Sequence, residues 1–194
     1  KLDAKVSIGE KRNICVENAS NDIIVCMDDD DYYPPGSVKE RVTRLITTGK
    51  DVVGCTTIAG FEINRYISLI SSTALNDPYY MRLSEATLAF RKDYWASNKF
   101  SDVSTHEAKD FVGENIHRFS EMCWEGIIVS LIHNNNSSVR HHPKKQAPNG
   151  CHFGWNQKLF EFITTLDKRP KDEKEEKAQS MLQQLQQQER RSEE

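Results

Sequence analysis

Hydrophobic positions along the chain change spacing repeatedly, and the changes mark out alternating helices and strands. Residues 10–20 place Ile14, Cys15, Asn18 and Ala19 at helical intervals until Asn21-Asp22 breaks the pattern, which predicts a short helix. Ile23-Ile24-Val25-Cys26-Met27 is a compact, β-branched run, too short for a helix and suited to a strand buried on both faces. Four aspartates, Asp28 to Asp31, end it abruptly, and Tyr32-Tyr33-Pro34-Pro35-Gly36 supplies turn chemistry. Ser37 then caps a predicted helix with the stripe Val38, Val42, Leu45 and Ile46, closing near Gly49, and residues 51–57 read as a second strand. A strand, a helix and a strand in such short order make a βαβ-like unit, so the predicted fold class is α/β.

Farther on, loose alternation from Phe61 to Ile70 predicts strands of a smaller sheet, and Thr87 to Phe90 a further strand. Residues 93–98 and 106–119 read as helices, the second with Phe111, Ile116 and Phe119 facing inward. Gly126 to Ile132 reads as a buried strand that delivers His133 into the polar loop 134–138. A basic, His-rich loop over 140–156 and a closing helix over 155–166 complete a domain expected to span 1–167. Residues 168–194 lack aromatics and carry seven basic against seven acidic side chains. They read as a charged, Gln-rich helical or disordered tail whose stripe Ala178, Met181, Leu182 and Leu185 is a candidate surface for a protein partner.

Composition narrows the function. The 194 residues suit one compact domain with an appendage. With 26 basic against 29 acidic side chains the net charge is −3, which disfavours a nucleic-acid binder that works by neutralising phosphates. Five cysteines at 15, 26, 55, 123 and 151 form no CxxC pair, so neither a disulfide framework nor a zinc knuckle is indicated. No window approaches the roughly 18–20 apolar residues of a membrane span, and no signal peptide is visible. The expected location is soluble, reducing and cytoplasmic, unless a segment ahead of Lys1 carries a targeting signal.

Asp28-Asp29-Asp30-Asp31 carries the sharpest chemistry. Adjacent carboxylates repel one another, and a folded chain tolerates them best when a cation or solvent neutralises the cluster. A hard divalent cation, Mn²⁺ or Mg²⁺, accepts carboxylate oxygens and keeps positions for waters and substrate phosphates, and the carboxyl edge of an α/β sheet is where ligands of such folds bind. An EF-hand is excluded, because Tyr32 and Tyr33 stand where that loop needs an oxygen ligand and a glycine.

The segment Gly9-Glu10-Lys11-Arg12-Asn13, the run Ala19 to Ile24, and Met27 to Tyr33 with Pro34-Pro35 together resemble the central motif of family 2 glycosyltransferases of GT-A fold, with its Asp-x-Asp-Asp (DXD) strand end. Leu88 to Lys92, Trp95, Phe100, Asp102 and Glu107 resemble that family's acceptor-side segment, and Ile132 to Ser138 its late His-x-x-Asn strand end. The likeness runs over roughly residues 8–140, with its parts in the family's order. It implies a partial GT-A, Rossmann-like mixed sheet and transfer of a sugar, with inversion, from a metal-bound nucleotide-sugar to a glycan, protein or lipid hydroxyl. By resemblance Asp28, Asp30, Asp31 and His133 would hold the metal, with Asp29 pointing away. Arg12, Asn13, Asp28, His133, Lys144 and Lys145 would meet the nucleotide or its diphosphate. The acceptor base would be Glu107, with Asp102 and Asp110 behind it, since the family's Glu-Asp pair stands here as Glu107-Ala108. Only eight residues precede Gly9, so the expectation is a domain lacking its nucleotide-reading front. An inactive or accessory glycosyltransferase-like subunit and a metal-dependent nucleotidyltransferase are the alternatives.

Overall fold

The computed structural model describes residues 5–63, 65, 67–133 and 136. The basic loop with Lys144 and Lys145, the closing helix and the tail 168–194 lie outside them. Helix α1 (Ile8–Asn18) starts at Ser7, whose hydroxyl accepts from the Glu10 amide. It buries Gly9 and Val16 rather than the expected Ile14 and Cys15. Gly9 touches the 101–107 segment so closely that a Cβ would lie 1.8 Å from the Ser101 carbonyl oxygen, and only glycine permits that approach. Strand β1 is shorter than predicted (Ile23–Val25) and half-buried rather than covered on both faces.

Helix α2 (Ser37–Thr48) ends as predicted on a left-handed Gly49. Its buried stripe is Ser37, Arg41 and Leu45, while Val38 and Ile46 are exposed, which corrects the stripe expected from apolar residues alone. Strands β2 (Val52–Cys55), β3 (Thr57–Glu62) and β4 (Ile67–Ser72), the short helix α3 (Tyr79–Arg82), strand β5 (Ser84–Arg91) and helix α4 (Lys92–Ser97) follow. The helix expected over 106–119 is only Ala108–Val112 (α5), because Gly113 takes a positive φ and turns the chain away. Beyond it come a 3₁₀ turn (Ile116–Arg118), strand β6 (Phe119–Glu121) and strand β7 (Val129–Ile132).

The strands form two mixed sheets, β1-β5-β2-β6 and β4-β3-β7. β5 lies antiparallel between β1 and β2, so the βαβ-like unit has its two strands parallel but not adjacent. Alternation along the central strands splits the first sheet's faces. Leu45 of α2 packs with Val53 and Ala89 on one side. Val52, Leu88 and Phe90 join an aromatic cluster on the other, where Phe100 and Phe111 stack at 4.4 Å and Tyr94 donates to the Phe111 carbonyl. Burial of each large side chain there stabilises the fold by about 1.5–3 kcal/mol. The predicted α/β class, with mixed sheets flanked by helices, is the observed one. Among the described residues no helix is long and apolar enough to cross a membrane.

Candidate active site

The four aspartates leave β1 in a turn that is tied down from several directions. The Asp28 amide donates to the Tyr33 hydroxyl at 2.8 Å, and that hydroxyl donates to the Ala86 carbonyl of β5 at 3.2 Å. Tyr32 and Val129 exchange backbone hydrogen bonds, so the turn is joined to β7. Asp31 accepts from the Ser130 hydroxyl at 2.8 Å and the Leu131 amide at 3.0 Å. It therefore anchors the smaller sheet. Asp29 is exposed.

Asp28 faces the opposite way. Arg12 of α1 grips both of its carboxylate oxygens, at 3.1 and 3.2 Å, and donates through Nε to Glu107 Oε1 at 3.0 Å. Side-chain exposure is 13% for Arg12 and 6% for Glu107, so this is a largely desolvated bridge from the aspartate turn to the start of α5. The neighbouring Asn13 clamps the segment from α4 to Phe100: its oxygen accepts from Trp95 Nε1 and the Phe100 amide, and its nitrogen donates to the Phe100 carbonyl. The Arg-Asn pair thus joins two parts of the protein, and Asn13 is engaged inside the fold rather than turned to a ligand. His106, immediately before Glu107, holds a positive φ of 55°, a conformation strained for a residue with a Cβ.

Asp30 and His133 form the third group. His133 Nε2 lies 3.8 Å from Asp30 Oδ2, and the Asn136 side-chain Nδ2 donates to the same oxygen at 3.0 Å. Asn136 also accepts from the His133 backbone amide, fixing the residue at the end of β7. Asp28 to Asp30, Arg12, Cys26 and Asn136 line one cleft of about 500 Å³. A second of about 400 Å³ is lined by Tyr80, Ser101, His106 and Asp110. Asp102 accepts from Ser7 at the start of α1, and Asp110 from Ser101 in the loop ahead of α5.

The structure thus splits the expected metal set. Among the described residues no three Asp, Glu, His or Cys side chains converge on one point. Asp28 is committed to Arg12 and Asp31 to β7, leaving Asp30 and His133 as neighbours. Asn136 Nδ2 lies 3.0 Å from Asp30 Oδ2 and 3.2 Å from His133 Nε2, so a Mn²⁺- or Mg²⁺-type ion would take this oxygen and imidazole nitrogen in place of that contact, with its other ligands from phosphate and water.

Sequence reading missed two residues here. Glu85 of β5 is one, half-buried at the start of the strand and close to Glu107. Burial, then the neighbouring Glu107 charge, push it from the usual 4.5 up to about 7. No local pattern marked it, because β5 is buried on both faces from Ala86 to Phe90 and Glu85 stands just ahead of that run. The other is Arg41, hidden under the turn.

A pH effect follows from Glu85. Below about pH 4.5 the carboxyl is protonated in folded and unfolded chains alike, whereas between 4.5 and 7 the folded chain keeps a proton that the unfolded chain has released. Stability therefore falls as pH rises through that window, by at most about 1.4 kcal/mol per pH unit from this group, and levels off above it. Glu85→Gln is expected to flatten the decline. Chemical denaturation of both proteins across the window measures the slope, and parallel profiles would contradict the assignment.

The family model described as Glycosyl transferase family 2 matches residues 3–124, which takes in α1, the aspartate turn, α4 and α5. No curated protein matches the chain.

Proposed function

The chain belongs to glycosyl transferase family 2, and from that membership we propose that it binds a nucleotide-sugar at the aspartate turn and passes the sugar, with inversion, to a hydroxyl acceptor. One observation carries the reading: Arg12 joins Asp28 on the donor side to Glu107 on the acceptor side. Asp30 and His133 would hold Mn²⁺ or Mg²⁺ against the diphosphate, where such an ion stabilises the negative charge of the leaving nucleoside diphosphate. Asp28 shapes the cleft beside them.

The residues of the chain set up the proton transfer. An inverting displacement needs a carboxylate to take the acceptor hydroxyl proton as the anomeric carbon is attacked. Glu107 is that group, ahead of Asp102 and Asp110, because Arg12 ties it to the turn while the other two bind serines of the 101–110 loop region and α1 cap. Arg12 Nε occupies Glu107 Oε1 in the ligand-free chain. A diphosphate entering the cleft competes for the guanidinium, whose planar fork suits phosphate oxygens, and so frees that oxygen to meet the acceptor hydroxyl. The donor's charge thereby readies the acceptor side. The four free thiols in the described residues, Cys15, Cys26, Cys55 and Cys123, accord with a reducing, cytoplasmic setting.

The test is a panel of nucleotide-sugars incubated with the chain, Mn²⁺ or Mg²⁺ and hydroxyl acceptors, with the product's anomeric configuration read by NMR. Release of nucleoside diphosphate with an inverted product is expected. Release of pyrophosphate from nucleotides would instead identify a nucleotidyltransferase, and donor binding without turnover an accessory subunit.

A further inference from the structure

Beneath the aspartate turn lies a tyrosine and arginine pair that neither donor nor acceptor contacts account for. Arg41 has no exposed surface, although it sits on the stripe by which α2 packs against the sheet. Its Nη1 donates to the Cys26 carbonyl at 2.7 Å and to the Ala86 carbonyl at 3.4 Å, and its Nε to the Ser37 carbonyl at 3.3 Å. Nη2 is buried with no hydrogen-bond partner, and no carboxylate forms an ion pair with the guanidinium among the described residues. Leucine at this position would fill the space without the desolvation cost of a buried charge. The guanidinium lies 5.3 Å from the centre of the Tyr33 ring, and the Tyr33 hydroxyl takes the Asp28 amide while donating to the same Ala86 carbonyl. The two side chains therefore meet at Ala86 and hold the backbone on either side of Met27: Arg41 at the Cys26 carbonyl, Tyr33 at the Asp28 amide.

We propose that Tyr33 and Arg41 are positioning residues, a brace that fixes the chain from Cys26 to Asp28 against β5 and so sets the aspartate turn in its donor-binding shape before the donor arrives. The inference rests on the donor-site reading above. The reason is preorganisation: carboxylates that must repel one another bind a cation and phosphate well only when the backbone carrying them cannot relax apart. Ser37 extends the brace, its buried hydroxyl donating to the Ile127 carbonyl at 2.6 Å and so tying the start of α2 to the segment before β7.

Tyr33→Phe removes the hydroxyl and little else, and Tyr94→Phe is its control. Tyr94 loses a similar bond, to the Phe111 carbonyl, in the aromatic cluster away from the turn. Two readouts decide. Calorimetry with Mn²⁺ and uridine, guanosine or cytidine diphosphate is expected to give about five- to tenfold weaker binding in Tyr33→Phe, on the scale of one hydrogen bond, and wild-type binding in Tyr94→Phe. Hydrogen exchange of the Asp28 amide, measured by NMR without ligand, is expected to accelerate about tenfold in Tyr33→Phe alone. Arg41→Lys should weaken diphosphate binding in the same direction. Equal binding losses in the two tyrosine variants, or an unchanged Asp28 amide in Tyr33→Phe, would overturn the brace. Wild-type chain that binds none of the three diphosphates would overturn the donor-site reading instead, and the ligand-free amide measurement separates that failure from failure of the brace.

Discussion

Arg12→Ala is expected to lower the stability of the chain by about 3 kcal/mol and to abolish turnover. The stability loss follows from leaving a buried carboxylate alone: Glu107 is nearly inaccessible and takes its charge partner from Arg12, and removal of one member of a buried pair typically costs about 3–5 kcal/mol. Asp28 is a third exposed, so water recovers part of its loss, which places the expectation at the lower end of that range. Arg12→Lys keeps a positive charge but cannot reach two oxygens of Asp28 and one of Glu107 together. It should recover less than half of the stability. Urea denaturation at neutral pH measures both variants, and an Arg12→Ala chain as stable as wild type would show that the bridge carries little weight.

Neighbouring aspartates should give opposite phenotypes. Asp30→Asn is expected to leave stability nearly unchanged, since the side chain is 42% exposed and water takes the place of what it loses, yet to cost about 10²–10³-fold in turnover and most of the Mn²⁺-dependent binding of nucleoside diphosphate. Asp31→Asn should do the reverse. Its carboxylate accepts from the Ser130 hydroxyl and the Leu131 amide, so the neutral amide loses charge-assisted bonds worth about 1.5–3 kcal/mol, and donor binding weakens only as far as the turn loosens. Thermal unfolding with and without Mn²⁺ and diphosphate separates the two. Loss of ligand stabilisation in Asp31→Asn with retention in Asp30→Asn would reassign the metal ligand.

These contrasts mark how far the sequence was legible. The apolar run ending in aspartates, the turn of tyrosines and prolines and the Gly49 stop are local signals, and the structure has β1, the turn and α2 in that order. His133 stands at the end of β7, as read. Periodicity failed where a polar side chain occupies an inward position. It placed Val38 and Ile46 in the core of α2, where the protein instead buries Ser37 and Arg41, because Arg41 finds the Cys26 and Ala86 carbonyls beside β1 and in β5 and Ser37 finds the Ile127 carbonyl ahead of β7. It also carried a helix through Gly113, although a glycine in that backbone conformation ends one.

The candidate site divides along the same line. Sequence alone determined that carboxylates cluster at a strand end, that an Arg-Asn pair precedes them and that a histidine follows a late strand, since each depends on residues close together along the chain. Only the tertiary structure decided what each group does. Asp28 turns to Arg12, Asp31 to β7 and Asp30 to His133 and Asn136, and the deciding contacts Arg12–Glu107, Asp31–Ser130 and Asp30–Asn136 span 95, 99 and 106 residues. Four adjacent carboxylates have nearly equal chemistry in an extended chain. They acquire distinct roles when folding brings a different partner to each and removes the water that made them alike.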